Sequence, residues 1–505
     1  MDSSEIKNIY RVAEKLSSDL DTSSTETAII LAAGHGKRIK SQTSKMLHKI
    51  WSVPTVLRVY NACRDGIKKV NTIIVVGIKA EDVMSVVGKQ QSNLFAYQEN
   101  QDGTGHAVQV ALKQLGKNST DGIVYVLPGD MGLIDVGTIR SFRKQFIRSY
   151  SDMMVLTGIY AGNAAENSYG RIIRVKEKDE QGIPSGKDYR KVIQIMENKD
   201  IHALPDSKPY KIKFNNRVYS YTKDELIRNN EFNSGVYAFR YKKLVELISL
   251  LKSNNIQNEI YVTDLIDLFN KRGYAVQAVS PENQHVVMGF NNKSVLKEME
   301  AVARNNVYEK LKDIIEINDP DDFFIHESVV EDILKMDKKN IPLDITIGQG
   351  VHVGEGVKLN YRVHLKHDVY VTGNVIFGKD VTVWRTVHLS NYPGQKLHIG
   401  NNVEIFRGDI LKGNIKIGDG SRIEANVKMT GSDEYPLRIG KNVIIKGASY
   451  LFGTKVGDNS EIEHSVLKMK KIKAGSAVRF YLPEVEGLDS ITEILNKKTL
   501  RDRRA

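Results

Sequence analysis

At 505 residues the chain is too long for one ordinary hydrophobic core, so two or three domains are expected. Hydrophobic residues at 41% and charged residues at 27% describe a globular protein, and no apolar run approaches the roughly 18 residues of a membrane span. A single cysteine, Cys63, excludes an internal disulfide framework and a cysteine-based zinc site, and the net charge of +12 comes from lysines spread along the whole chain, which phosphate ligands would satisfy as well as nucleic acid would.

The start, "MDSSEIKNIYRVAEKLSSDL", has no apolar core of a leader peptide, and a cytoplasmic location is expected. Ile6, Ile9, Val12, Leu16 and Leu20 recur at spacings of three and four, the pattern of an amphipathic helix, read as an N-terminal helical extension over 1–26. From Thr27 the texture changes. "TAIILAAG", "TIIVVG", "GIVYVLPGD" and "MMVLTGIYA" read as buried strands, with "PTVLRVYNACRDG", "GHAVQVALKQLG" and "GTIRSFRKQFIRSY" as helices between them. Such alternation implies an α/β domain over 27–292, Rossmann-like, with a mostly parallel sheet covered on both faces. Its ligands belong at the carboxyl ends of the strands, where "LAAGHGKR" and "LPGDMG" fall. Between 181 and 230 the chain turns polar, read as a surface excursion or an added hairpin. Residues 293–341 read as a helical linker.

After about residue 342 an apolar residue followed by glycine recurs at Ile347, Val353, Phe377, Ile399, Ile417, Ile439 and Val456. The intervals 347–353, 353–377 and 399–417 are 6, 24 and 18 residues, all multiples of six, whereas others of 22 and 17 require interruptions. Hexapeptide periodicity marks a left-handed parallel β-helix, here over 342–482, with a basic tail over 483–505 read as a solvated helix end. Such solenoids assemble through their faces, and a trimer is expected.

The glycine turn "LAAGHGKRIKSQTSKMLHKI" at 31–50 follows a buried strand and aims backbone N–H groups at an anion. This stretch resembles the signature of the sugar-nucleotide pyrophosphorylases, and its "KMLHKI" ending is most similar to the N-acetylglucosamine-1-phosphate uridylyltransferase branch. The resemblance continues in order through "YQENQDGTGHAVQVAL" (97–112), "LPGDMGLI" (127–134), "SYGRIIR" (168–174), "IMENKD" (195–200), "FNSGVYAF" (232–239), "NEIYVTDLIDL" (258–268) and "MGFNN" (288–292). It implies transfer of UMP from UTP to N-acetylglucosamine 1-phosphate. Ala32, Ala33, Gly34 and Gly36 would line the nucleotide loop, and Arg38 and Lys45 would be catalytic, neutralising the triphosphate. Gln98, with Gly103 and Thr104, would read the uracil, since an amide donates and accepts at once. Asp130 and Asn291 would hold Mg²⁺, a hard ion bound by few protein oxygens. Gly170, Glu197 and Asn233 would bind the sugar. His48 and His106 read as structural, because a phosphate oxygen is already a competent nucleophile.

The chain also departs from the family pattern. Lys37 stands where a hydroxyl residue is customary, Ser44 where proline precedes the lysine, "WSVPT" at 51–55 where G-K-P-M is common, and the interval from Glu197 to Asn233 is long. In the bifunctional bacterial enzymes of this family the β-helix carries an acetyltransferase site. Here "IGNNVEIFRGD" and "VHLSNYPG" are out-of-order echoes of its motifs, and nothing resembles TCNYDG. His388 is therefore a poor acetyl-transfer base, and no acetyltransferase activity is expected. Two competing readings are a pyrophosphorylase for another sugar 1-phosphate or nucleotide, and a non-catalytic sugar-nucleotide-binding protein. Retention of Arg38, Lys45, Asp130 and Asn291 together speaks against the second.

Overall fold

The computed structural model describes residues 3–479 except 35, 37, 38, 116–121, 254 and 256. The expected basic tail lies outside the described residues. The chain divides into two compact units, Met1–Val302 and Ala303–Ala505.

The first unit is built on one sheet whose strands run in the order Val276–Val279, Met153–Ile159, Glu231–Arg240, Ile123–Pro128, Glu26–Ala32, Asn71–Val76 and Asn93–Tyr97. Neighbours are parallel except Glu231–Arg240, which runs antiparallel to both Ile123–Pro128 and Met153–Ile159. Side chains alternate between faces with the period of two that a strand imposes. Ala28, Ile30 and Ala32 thus join a core with the helices Thr55–Gly66 and Val136–Arg148, while Ile29 and Ala33 join another with Thr104–Leu112 and Tyr241–Ile248. Both faces are buried, which explains why these strands read as continuous apolar runs.

The N-terminal helix Ser3–Leu16 is more than an appendage. Ile9 and Ala13 are buried in the first of those cores, and full burial of an isoleucine stabilises by about 1.5–3 kcal/mol. Cys63 is buried in the same core, and desolvation pushes its thiol up to about 12, leaving it inert. Within the polar stretch, Tyr210–Phe214 and Arg217–Tyr221 pair as an antiparallel hairpin, with Asn215 and Asn216 at positive φ in its turn.

The second unit is a left-handed parallel β-helix. Its short strands stack coil upon coil into three parallel faces of nine, eight and six strands. The apolar–glycine pairs mark inward positions. Phe377, Ile399, Ile417, Ile439 and Val456 stand in one register column on the third face. The two intervals of 22 come from loops inserted between second-face and third-face strands, at 391–396 and 432–436, which leave the stacked register intact. Corner positions need left-handed backbone, and Asp380, Asn402, Gly420, Asn442, Asn459 and Gly475 supply it with φ between 52° and 70°. The helical-linker expectation for 293–341 is corrected here. Besides the helices Lys293–Leu311 and Glu327–Asp337, the stretch contains Glu316–Ile317 and Phe323–Ile325, which pair with Thr346–Ile347 and Val351–Val353 and so begin the stack. No helix among the described residues is long and apolar enough to cross a membrane.

Candidate active site

Parallel pairing sets the candidate residues side by side. Leu31 is the register partner of Pro128, and Gly129 N–H donates to the Leu31 carbonyl at 2.9 Å, so the glycine loop and the "PGD" turn leave the sheet together. A Cβ on Gly129 would lie 3.0 Å from Met46 Sδ and 3.2 Å from the Leu31 carbonyl oxygen, a tight fit. Ala32 ends its strand and Ala33 is buried beyond it, its carbonyl accepting from Gln101 Nε2 at 2.7 Å. Gly34 and Gly36 follow. Gly36 has φ +62°, and a Cβ on it would meet Lys45 Cβ at 2.8 Å, so the loop lies directly on the lysine stem. Arg38 and Lys37 lie outside the described residues.

Lys45 opens the short 3₁₀ turn Lys45–Leu47. Its ammonium forms an ion pair with Asp130 and donates to Asn291 Oδ1 at 2.9 Å, passing 5.4 Å from the centre of the Phe290 ring. Three residues scattered over some 250 positions of sequence therefore meet at one charge. Asn291 is delivered by the turn after Gly289, and the Tyr169 hydroxyl clamps that turn, donating to the Gly289 carbonyl at 2.6 Å and accepting from its N–H at 3.2 Å. Tyr169 stacks on Phe232 at 4.5 Å. Behind it, the buried Arg171 guanidinium has no carboxylate partner among the described residues and donates to the carbonyls of Tyr169, Ala164 and Asn167, tying the preceding loop together. Tyr169 and Arg171 escaped the sequence reading although both stand in the quoted "SYGRIIR". Their signal was a tyrosine and an arginine flanking a glycine, which has no meaning until the partner turn is known. His48 is half-buried against Phe290, with its pKa lowered by desolvation and by Lys293.

The three residues expected to read a base are adjacent, but two of them are engaged in packing. Gln98 is buried, with Nε2 donating to the Gly103 carbonyl at 3.1 Å and lying 3.3 Å from His106 Nδ1. Gly103 has φ +105°, and a Cβ there would meet the Ile260 carbonyl oxygen at 2.5 Å. Thr104 Oγ1 accepts from the Val262 N–H at 3.2 Å. The "NEIYVTDL" segment thus docks on the start of helix Thr104–Leu112 and fixes the glutamine.

The structure brings together Gly170, Glu197 and Asn233, the residues expected to bind a sugar. The Asn233 N–H donates to the Gly170 carbonyl at 2.9 Å, and a Cβ on Gly170 would lie 3.1 Å from Glu197 Oε1. The Asn233 side chain is held by Gly235 N–H at 2.9 Å and the Tyr237 hydroxyl at 3.0 Å. Glu197 faces a cavity of about 610 Å³ shared with Asp200, Tyr210, Tyr261 and Asp264. Desolvation, then the charges of Asp200 and Asp264, push its carboxyl up to about 7, and desolvation, then Asp200 and Asp267, push Asp264 up to about 6. Tyr210 comes from the added hairpin, so the long interval after Glu197 supplies part of this wall.

Residues 28–165 match the MobA-like NTP transferase domain. Proteins named "Bifunctional protein GlmU" are similar along nearly the whole chain. That of Acetivibrio thermocellus is 30% identical over 480 residues, covering 90% of this chain and 93% of the relative. That of Geotalea uraniireducens is 29% identical over 468 residues, covering 92% of each, and that of Carboxydothermus hydrogenoformans is 29% identical over 429 residues, covering 84% of each. A glycine loop and a stacked β-helix in one chain, with similarity running through both units, make this nucleotidyltransferase a member of the bifunctional GlmU family.

Proposed function

We propose that the chain catalyses Mg²⁺-dependent transfer of UMP from UTP to N-acetylglucosamine 1-phosphate, releasing pyrophosphate. The observation that carries this reading is the convergence of Asp130 and Asn291 oxygens on one cationic point, the Lys45 ammonium. A hard divalent ion suits the same two oxygens, with phosphates and water completing its shell. Bound there, Mg²⁺ would supply charge neutralisation on the phosphates.

The reacting phosphate of the sugar attacks the α-phosphorus of UTP. One O–P bond forms, the bond to the β-phosphate oxygen breaks, and the electron pair leaves with pyrophosphate, so no side chain has to form a covalent intermediate. The work of the protein is positioning and electrostatics. Gly34 and Gly36 admit the triphosphate close to the backbone. Lys45, whose stem the loop holds, turns its ammonium from Asp130 toward the negative charge that grows on the transferring phosphoryl group, and Arg38 assists it. Gln98 orients the uracil, with Gly103 and Thr104 shaping that end by packing. Gly170 leaves space beside Glu197 for the acetamido group, and Asn233 and Glu197 hold hydroxyls. A coupled pyrophosphate assay with UTP and N-acetylglucosamine 1-phosphate tests the reading. Faster turnover with glucose 1-phosphate or mannose 1-phosphate would reassign the sugar, and silence with every pair would leave a binding protein.

The β-helix, on this reading, is an assembly module, through which the chain forms a trimer, and lacks acetyltransferase activity. His388 points outward, 4.8 Å from Tyr370, and its pKa is lowered by desolvation and by Lys412 rather than raised by a carboxylate. Release of free CoA from acetyl-CoA and glucosamine 1-phosphate would overturn that part.

A further inference from the structure

The three faces of the β-helix treat charge differently. On the first face and its corners, basic groups meet acids. Arg422 lies 3.3 Å from Glu404 and 3.4 Å from Glu424, Lys446 lies 2.7 Å from Glu461, Arg479 lies 3.3 Å from Glu461 and Glu463, and Arg362 pairs with Asp380. On the third face the outward position of successive coils is His398, Lys416, Arg438, Lys455 and Lys471, one register column by strand pairing. Adjacent strands are about 4.8 Å apart, and like charges directly opposite each other repel. Among the described residues, none of Lys416, Arg438, Lys455 and Lys471 has an ion-pair partner. Arg438 instead donates to Asn414 Oδ1 at 3.0 Å and to main-chain carbonyls. Four cations in file with no acidic partner among the described residues make a positive strip that an external anion would neutralise.

The edge beside the strip bears exposed apolar groups. The connections from the second to the third face carry Tyr392, Tyr435 and Met469, which are 57%, 38% and 54% exposed. Lysines border them. Lys412 sits 4.5 Å from the Tyr392 ring, and Met469 lies between Lys468 and Lys470. Asp433 and Glu434 are the acids on the same edge, in the loop that carries Tyr435. Rings and a thioether projecting beside an unpaired basic strip are the composition of a membrane-interface contact, in which lysines meet anionic headgroups and aromatic groups settle at headgroup depth. A polyanionic strand would use the cations but would have no need of Met469.

We propose that the third face of the β-helix, with its Tyr392–Tyr435–Met469 edge, docks on an anionic phospholipid bilayer surface. The test is co-sedimentation of the full chain with phosphatidylcholine vesicles with and without phosphatidylserine, at low and high salt. The wild-type protein should pellet with the anionic vesicles only, and added salt should weaken the association. Combining Lys416→Glu, Lys455→Glu and Lys471→Glu should weaken it by at least about tenfold, while pyrophosphate release, which none of these residues serves, stays at the wild-type level and reports an intact fold. A second variant, Tyr392→Ser with Met469→Ser, should reduce the part that resists salt. Failure of the wild-type protein to bind anionic vesicles, or equal binding by the charge-reversed variant, would overturn the proposal. So would tighter binding to a single-stranded oligonucleotide than to the vesicles, which would make the strip a nucleic-acid surface.

Discussion

The proposed phosphate end and the proposed sugar end of the candidate site are assembled by opposite means. At the phosphate end the opposite charges are already satisfied, since Lys45 reaches both Asp130 and Asn291, and the loop lies so close to the lysine stem that Gly36 has no room for a Cβ. At the sugar end the carboxylates of Glu197 and Asp264 stand near one another with raised pKa values, beside a wall partly made by the added hairpin. One end is an electrostatic machine set before substrate arrives, and the other is a shape whose charge state is still adjustable. Substitutions at the first should therefore act on turnover, and substitutions at the second on recognition.

The largest effect is expected at Asp130. Asp130→Asn keeps the shape and removes the charge, and pyrophosphate release should fall by about 10³-fold with little change in Tm. Lys45→Ala should cost about 10²-fold in kcat, the scale of one lost charge-stabilising donor. Because the two groups touch, the double variant should be much less impaired than the product of the single losses. Independent, multiplicative losses in the pyrophosphate assay would break the claim that this end works as one unit.

How much of this could be read from residues alone follows the same division. The glycine loop, "LPGD" and "MGFNN" are short local motifs that carry the family resemblance, so Gly36, Lys45, Asp130 and Asn291 could be named through it without coordinates, and they do meet. The β-helix column was legible because the stack demands an inward apolar residue at each turn. Its first coil was not, since Ile317 and Ile325 are followed by asparagine and histidine rather than glycine, and only their pairing with Ile347 and Val353 assigns them. Tyr169 and the packing duties of Gly103 and Thr104 were illegible for a common reason. Each depends on a segment that lies far along the chain, at Gly289 or Ile260, and no local pattern announces a long-range hydrogen bond.

At the sugar end, Gly170→Ala would place a methyl group 3.1 Å from Glu197 Oε1, tighter than an ordinary contact. KM for the sugar 1-phosphate should rise about tenfold, the cost of roughly 1.4 kcal/mol of lost binding, with KM for UTP unchanged. A parallel rise in both would mean that the two ends are not separable. Glu197→Gln tests the adjustable charge. A carboxyl raised to about 7 in the folded state holds its proton where the unfolded chain, near its ordinary value of 4.5, has released it. Folding stability from this group is therefore full below about pH 4.5 and is lost as pH rises toward 7. Asp264 adds a loss of the same sign, with its raised value of about 6. Thermal unfolding from pH 5 to 8 should show a decline in Tm for the wild type that is shallower in Glu197→Gln. Superimposable profiles would place the carboxylate in water.

The smallest effect returns to the phosphate end, at one of its departures from the family pattern. Ser44 precedes Lys45 with φ −54°, close to the angle a proline ring imposes, and its N–H makes no hydrogen bond among the described residues. Its hydroxyl is buried without a hydrogen-bond partner among the described residues. Ser44→Pro would remove that unsatisfied group and reduce the freedom of the unfolded chain, without asking the backbone to move. A gain of about 0.4–1 kcal/mol in unfolding free energy is expected, read by denaturant titration, with kcat unchanged. A stabilised variant with reduced kcat would show instead that Lys45 needs a supple residue before it, so that its ammonium can leave Asp130 for the triphosphate, and the phosphate end would then be less fully set in advance than its charge pairing indicates.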